Sequence, residues 1–247
     1  YNDNENLSGL YFRNDSHEWE TKLRLKTVNY INDWKISWGG NIQYSDYFNN
    51  TSDLYNQGEY VTKFNFYKYG LFGNISKSFF ENILDVSIGI RSDEDTFSSG
   101  SKLTDNLSPR LSTSLSISKD RRLKWNSSLG TYYKIPVYTV LGFKNDLGEF
   151  TNLDAKYTKS NHFVTGFDYA LGNASKLSIE GFLKKYYQFP ISVFDGVSLA
   201  NKGADFEVLG NENIITEGKG KTRGLEFLFQ QKLTNNFYGI FSYTYFK

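Results

Sequence analysis

Cysteine is missing from this 247-residue chain, which excludes a disulfide framework, thiolate metal sites and cysteine nucleophiles. Histidine is scarce, with His17 and His162 the two present, so a histidine-rich metal cluster is not expected. Net charge is +1, which leaves no electrostatic footprint for nucleic acid. No run approaches the roughly 20 consecutive apolar residues that a membrane-crossing helix needs. The opening stretch YNDNENLSGLYFRND is polar and lacks the apolar segment of a secretory signal. Methionine is absent even from position 1, so the chain is expected to be a processed product or a fragment.

What is abundant is aromatic residues: 18% of the chain, with 19 tyrosines and 21 phenylalanines. Yet mean hydropathy is −0.52, polar on average. A transmembrane β-barrel reconciles the two, because every second residue of a strand faces lipid and the rest face a polar lumen.

Ten segments show the period-2 alternation of strands: 18–30, 34–45, 60–75, 83–91, 107–118, 122–134, 161–171, 176–187, 220–233 and 237–246. In 34–45, Trp34, Ile36, Trp38, Ile42 and Tyr44 oppose Lys35, Ser37, Asn41, Gln43 and Ser45. In 107–118, Leu111, Leu115 and Ile117 oppose Arg110, Ser112, Ser114 and Ser116. The pattern is weakest in 60–75 and 176–187, where Phe64, Phe66 and Phe182 fall on the polar face.

The connections sort by length. Short ones (31–33, 76–82, 118–122, 172–175, 234–236) alternate with long polar ones (47–59, 92–106, 135–160, 188–219). Outer-membrane barrels have this arrangement, with short periplasmic turns and long external loops. Trp34 and Tyr44 are ten residues apart, or roughly 25 Å along the membrane normal at ~3.3 Å per residue and ~40° tilt, the separation of the two aromatic girdles. Trp34 and Trp125 both follow short turns, where one girdle would lie. No internal repeat or linker divides residues 1–247, so a single β-barrel segment is expected.

Few motifs suggest chemistry. GKGKT (218–222) has Ile215 where a phosphate loop needs glycine and leads into a strand, so it reads as a loop base. Asp93, Glu94 and Asp95 could hold calcium but read as a solvated charge cluster. Lys22, Arg24 and Lys26 make one strand face positive, either to steer an anionic ligand or simply as a hydrated lumen wall. Asp168, Glu180, Lys184 and Glu226 are also expected to point inward. No nucleophile motif is present, so no catalytic residue, metal ligand or cofactor is assigned. Loop aromatics (Tyr47, Phe48, Tyr55, Phe143, Phe194, Phe206) suit sugar rings or apolar ligands, and equally the packing of loops on themselves.

The stretches LSPRLSTSLSIS, LGTYYKIPVY, NLDAKYTKSNHFVTGFDYAL, KLSIEGFLKKYYQFP, GKTRGLEFLFQQKL and NFYGIFSYTYFK carry a resemblance. Its elements are Ser108, Pro109 and Arg110 at a strand start; Tyr133, Ile135 and Pro136 at a strand end; and Asn152, Leu153 and Ala155 in the following loop. Gly220, Gly224, Leu225 and Glu226 and the Tyr-Gly-x-x-Ser-Tyr-Thr-Tyr run at 238–245 complete it. Over 107–247 the chain resembles the barrel of TonB-dependent outer-membrane receptors, most of all those of Bacteroidetes. The resemblance implies a barrel of about 22 strands filled by a plug, through which TonB transmits energy for uptake. With about ten strands and no plug or TonB-contact segment, the chain is expected to be part of such a barrel.

The implied function is uptake of a bulky nutrient: a metal chelate, an oligosaccharide or a peptide. The implied place is the outer membrane of a Gram-negative bacterium. Implied partners are membrane lipid, TonB through a plug, the ligand and a surface lipoprotein, with no nucleic acid. Ligand contacts are expected in the loops near 135–160 and 188–219, at Tyr138, Phe143, Phe194 and Phe206. Two other readings stay open: a self-contained ten-stranded pore or enzyme, which requires 18–30 to pair with 237–246, and a soluble carbohydrate-binding β-sandwich.

Overall fold

A computed structural model describes residues 2–6, 9–53, 58–100, 102–202, 210–234 and 236–247. All ten periodic segments are strands, and a short eleventh precedes them. They are β1 (Asn2–Asn6), β2 (Gly9–Ile31), β3 (Trp34–Asp53), β4 (Gly58–Phe79), β5 (Leu84–Asp95) and β6 (Ser108–Ser116). Then come β7 (Leu123–Lys134), a single helical turn α1 (Tyr138–Leu141), β8 (Thr158–Ala170), β9 (Ser175–Ser192), β10 (Ile214–Thr234) and β11 (Phe237–Phe246). Each strand pairs antiparallel with its sequence neighbours in one 11-stranded sheet, ordered β1 to β11. β2 and β11 lie far apart in that order and do not pair, so the self-contained closed barrel is not formed. Among the described residues there is one sheet and no second layer for a sandwich.

Alternation fixes the faces. On β3, Ser37, Gln43, Ser45, Asn49 and Thr51 are buried while Trp38 and Ile42 are exposed. β6 presents Leu111 outward and β10 presents Leu225 outward, both exposed. The large apolar side chains therefore stand on the open side of the sheet and the small polar ones on the wet, enclosed side. A soluble protein reverses this order, whereas hydrocarbon around the sheet requires it.

The loop reading needs correction in 47–59 and 188–219. β3 continues to Asp53 and resumes across the hairpin as β4 from Gly58; β9 continues to Ser192, and β10 starts at Ile214. The reason is that these extensions are polar on both faces although the folded connections cover one of them: Asn49, Thr51 and Thr62 are buried. Asn49, Asn50, Thr51, Ser52 and Asp53 carry no hydrophobic alternation, yet their backbones stay paired with Thr62, Val61, Tyr60, Glu59 and Gly58. The 23 residues of β2 rise roughly 58 Å at ~3.3 Å per residue and ~40° tilt, over twice the ~25 Å apolar band. On the loop side the sheet stands well clear of the membrane. At the turn side the chain reverses tightly, and Asn32 (φ 53°) takes the left-handed corner between β2 and β3, which asparagine tolerates.

The hydrophobic core does not lie within the membrane-height wall. It comprises Tyr47, Phe64, Phe66, Tyr138, Val140, Leu141, Ala155 and Ile214, with Phe97, Ile135, Phe150 and Leu199 packed against it. It sits where the long connections fold onto the wet face of β3 and β4.

Candidate functional site

Phe64 and Phe66, which break the alternation of β4, are the floor of this site. Their rings lie 5.7 Å apart, and Phe97 from the β5–β6 connection stacks on Phe64 at 4.4 Å. The segment 135–157 comes down onto this shelf. There α1 makes one turn, closed by the Gly142 N–H donating to Tyr138 O at 2.8 Å. A Cβ on Gly142 would stand 2.5 Å from the Phe64 ring, so glycine permits the close approach. The Gly142 carbonyl accepts from Thr62 Oγ1 at 2.7 Å and from the Tyr60 hydroxyl at 2.8 Å.

Tyr138 drops from α1 into the wall. Its ring packs on Tyr47 (5.8 Å) and Phe66 (5.3 Å), and its hydroxyl donates to Glu20 Oε1 at 2.7 Å. Lys68 Nζ donates to the same oxygen at 2.8 Å and also contacts the tyrosine hydroxyl. The Ser45 hydroxyl reaches Glu20 at 3.3 Å. Burial, and then the hydrogen bond to Glu20, hold the Tyr138 hydroxyl far above the usual tyrosine range. The phenol therefore stays protonated and positions the loop.

Two buried polar residues tie the connections together. The Asn152 side-chain amide donates to Val140 O (2.8 Å) and Glu212 O (2.9 Å), while its oxygen accepts from Ile214 N (3.1 Å). Asp95 accepts from Phe97 N (2.8 Å), Ser98 N (2.6 Å) and the Tyr157 hydroxyl (2.8 Å). Burial, and then the Asp95 charge, push the Tyr157 hydroxyl upward as well. On the β9–β10 connection, Lys202 bridges Glu212 (2.6 Å) and Asp195 (3.1 Å). Burial works against its charge, but the two carboxylates outweigh it and raise its pKa.

The acidic cluster differs from a solvated patch. Asp95 is 3% exposed, Asp93 pairs with Arg91 (2.6 Å, Nε to Oδ2) and Glu94 accepts from Leu103 N (3.1 Å). The three carboxylates serve separate donors, and among the described residues no cluster could hold a metal ion.

Of the expected ligand contacts, Tyr138 is buried in the network above. Phe143 stacks on Tyr60 at 5.9 Å, Phe194 is 93% exposed beyond β9, and Phe206 lies outside the described residues. Tyr138 and Phe143 thus build the shelf, and Phe194 stands free in solvent. Asp168, Glu180, Lys184 and Glu226 all face the wet side, with Glu180 directly opposite Glu226. Asp168 is held by Lys176 (3.0 Å) and Asn126 (2.9 Å).

The sequence reading missed a second feature, deeper on the same face. Arg24 lies over the Phe72 ring at 4.7 Å and Arg110 over Tyr132 at 4.4 Å. His162 packs against Tyr132 at 4.6 Å. Arg24, Phe72, Arg91, Arg110 and Tyr132 line a recess of about 280 Å³. Its signal was there in the nominally polar positions, where aromatic residues recur beside arginines. Nearer the short turns, a recess of about 650 Å³ is walled largely by serines, among them Ser76, Ser87, Ser112, Ser114 and Ser128.

A family model described as "TonB dependent receptor-like, beta-barrel" matches residues 1–247. No curated protein matches the chain in sequence. Among solved structures, the fold is similar to the copper transporter OprC (TM-score 0.63, 16% identity, 96% of this chain and 39% of that one). It is also similar to the outer membrane transporter YddB from Escherichia coli (TM-score 0.59, 14% identity, 95% and 33%). A third is the siderophore receptor PirA from Pseudomonas aeruginosa (TM-score 0.56, 12% identity, 99% and 42%). The chain thus spans 33–42% of the length of these three proteins.

Proposed function

Because this chain belongs to the TonB-dependent receptor β-barrel family, whose model spans residues 1–247, we propose that it is the ligand-facing wall of a receptor that imports a bulky nutrient across the outer membrane. The nutrient is a metal chelate, an oligosaccharide or a peptide. Uptake is energised by TonB acting through a plug, and a surface lipoprotein assists capture. The motif runs at 108–110 and 238–245 favour the Bacteroidetes branch of the family. Similarity to a copper transporter and to a siderophore receptor keeps the metal chelate first among the ligand classes.

The observation that carries this reading is the two-storey wet face. Packed connections form an ordered rim around Phe64 and Tyr138, and beneath it lies the wall of Arg24, Arg91, Arg110 and Tyr132. A pre-ordered rim lowers the entropic cost of capturing a large ligand, and the arginine–aromatic wall favours anionic or ring-bearing parts of it. Phe194 and Phe206 are assigned to first contact. Phe143 and Tyr138 hold the rim. No covalent step is required of the chain, so it is not assigned an enzymatic role.

The test is growth of gene-deleted and TonB-deficient strains on ferric chelates, oligosaccharides or peptides as sole iron or carbon source. Loss of growth on one class in both strains is expected. Unchanged growth of the deletion strain on all three overturns the reading.

A further inference from the structure

The lipid side of β8 to β11 has a charge pattern that nutrient uptake does not use. Reading the register across these strands, Lys159 stands opposite Tyr187. One rung below, Asn161, Lys185 and Lys221 lie abreast. On the next rung are Phe163, Leu183 and Arg223, with Lys247 bonded backbone-to-backbone to Arg223 at 2.9 Å in both directions. Below these come Thr165, Gly181, Leu225 and Tyr245, and then Phe167, Ile179, Phe227 and Tyr243.

Cations thus crown an apolar wall, and the rungs from that of Asn161, Lys185 and Lys221 down to that of Phe167, Ile179, Phe227 and Tyr243 carry no carboxylate on this face. Lys185 and Lys221 are direct cross-strand neighbours of like charge, an arrangement that is destabilising unless an anion lies between or above them. The outward face of β3 to β5 differs, since Asp46 and Glu94 accompany Lys63 there.

A groove of about 440 Å³ runs down from this crown, bordered by Phe163, Leu183, Arg223, Leu225, Tyr245 and Lys247. Gly181 forms its floor. The nearest atom to a Cβ built there is Leu225 Cδ2 at 3.4 Å, so the missing side chain leaves a furrow between the flanking apolar residues.

We propose that this face is a binding site for an anionic, phosphate-bearing lipid of the outer leaflet. Its phosphate sits among Lys185, Lys221 and Arg223, and one acyl chain lies in the furrow over Gly181. Charge complementarity selects the headgroup: arginine and lysine at the membrane surface attract anionic lipid, and the guanidinium fork of Arg223 suits phosphate oxygens. Lys159, lying over the Tyr133 ring at 5.8 Å, extends the cationic rim from β8. Such a lipid would bind the outside of the wall and anchor the receptor's height in the membrane, independently of what the lumen carries.

The test uses the intact protein purified from membranes in detergent, with native mass spectrometry counting bound lipid. The probes are dioleoyl phosphatidylglycerol and dioleoyl phosphatidylcholine added in equal amounts. Preferential retention of the phosphatidylglycerol is expected. The variant Lys185→Gln/Lys221→Gln/Arg223→Gln is expected to reduce that retention by at least about tenfold, while Lys63→Gln leaves it unchanged. Heat-modifiable gel mobility confirms that both variants are folded. Equal retention of the zwitterionic lipid, undiminished retention by the triple variant, or displacement of the lipid by millimolar inorganic phosphate would each overturn the proposal.

Discussion

At the scale of single residues, the informative positions are those that depart from the alternation. Phe64 and Phe66 look misplaced on a polar face, and they are the seat on which 135–157 folds. Tyr138, an evident loop aromatic in sequence, is buried against Glu20 and Lys68 and so orders the rim. Its raised ionisation has a consequence for stability. The folded-state value lies above the unfolded value of 10.0, so the stabilisation from Tyr138 is complete below about pH 10 and is lost as pH rises through the folded value. Hydrogen exchange of 135–157 should therefore stay slow up to about pH 10, once corrected for intrinsic rates, and accelerate above it. The Tyr138→Phe variant removes that pH dependence at a cost of about 1–3 kcal/mol, since Glu20 and Lys68 lose a buried partner.

At the scale of elements, each strand is a two-sided ribbon, and adjacent residues meet different solvents. β6 gives the cleanest comparison, with Leu111 outward and exposed and Ser112 on the serine-walled recess. Leu111→Arg is expected to cost about 2–4 kcal/mol near the bilayer midplane, and Ser112→Arg much less. Urea titrations of the protein refolded into lipid vesicles would check both; equal effects would contradict the assignment of faces. The extensions of β2, β3, β4, β9 and β10 beyond the membrane illustrate the limit of this logic. With polar residues on both faces the hydrophobic alternation vanishes, although the hydrogen-bond ladder continues, so polar strand and polar loop read alike in sequence. Asn152 and Asp95 were invisible as staples for a related reason. Their partners, Glu212, Ile214 and Tyr157, lie about 60 residues away.

At the scale of the whole molecule, the sheet is an open run from β1 to β11. The absence of cysteine makes this testable by introduced pairs. Phe227→Cys with Tyr243→Cys, direct partners on β10 and β11, should cross-link on mild oxidation. Leu23→Cys with Tyr243→Cys, on β2 and β11, should stay reduced within one chain. Cross-linking of the second pair would indicate closure of these strands on themselves. The solved structures similar in fold are much longer than this chain, which agrees with an arc of wall within a larger barrel.

The sequence alone determined the lipid side and the wet side. Period-2 chemistry is a local property, and an 18% aromatic content with polar mean hydropathy admits few other arrangements. Turn positions were legible for the same reason, because short polar breaks interrupt the pattern. Only the tertiary structure decided what the long connections do. Whether Tyr138, Phe143 and Phe194 face a ligand, a neighbouring loop or solvent depends on contacts between residues distant in the chain, and no local period records those. The crown of Lys185, Lys221 and Arg223 is likewise a product of register, since cations spread over two strands become neighbours only once those strands are paired.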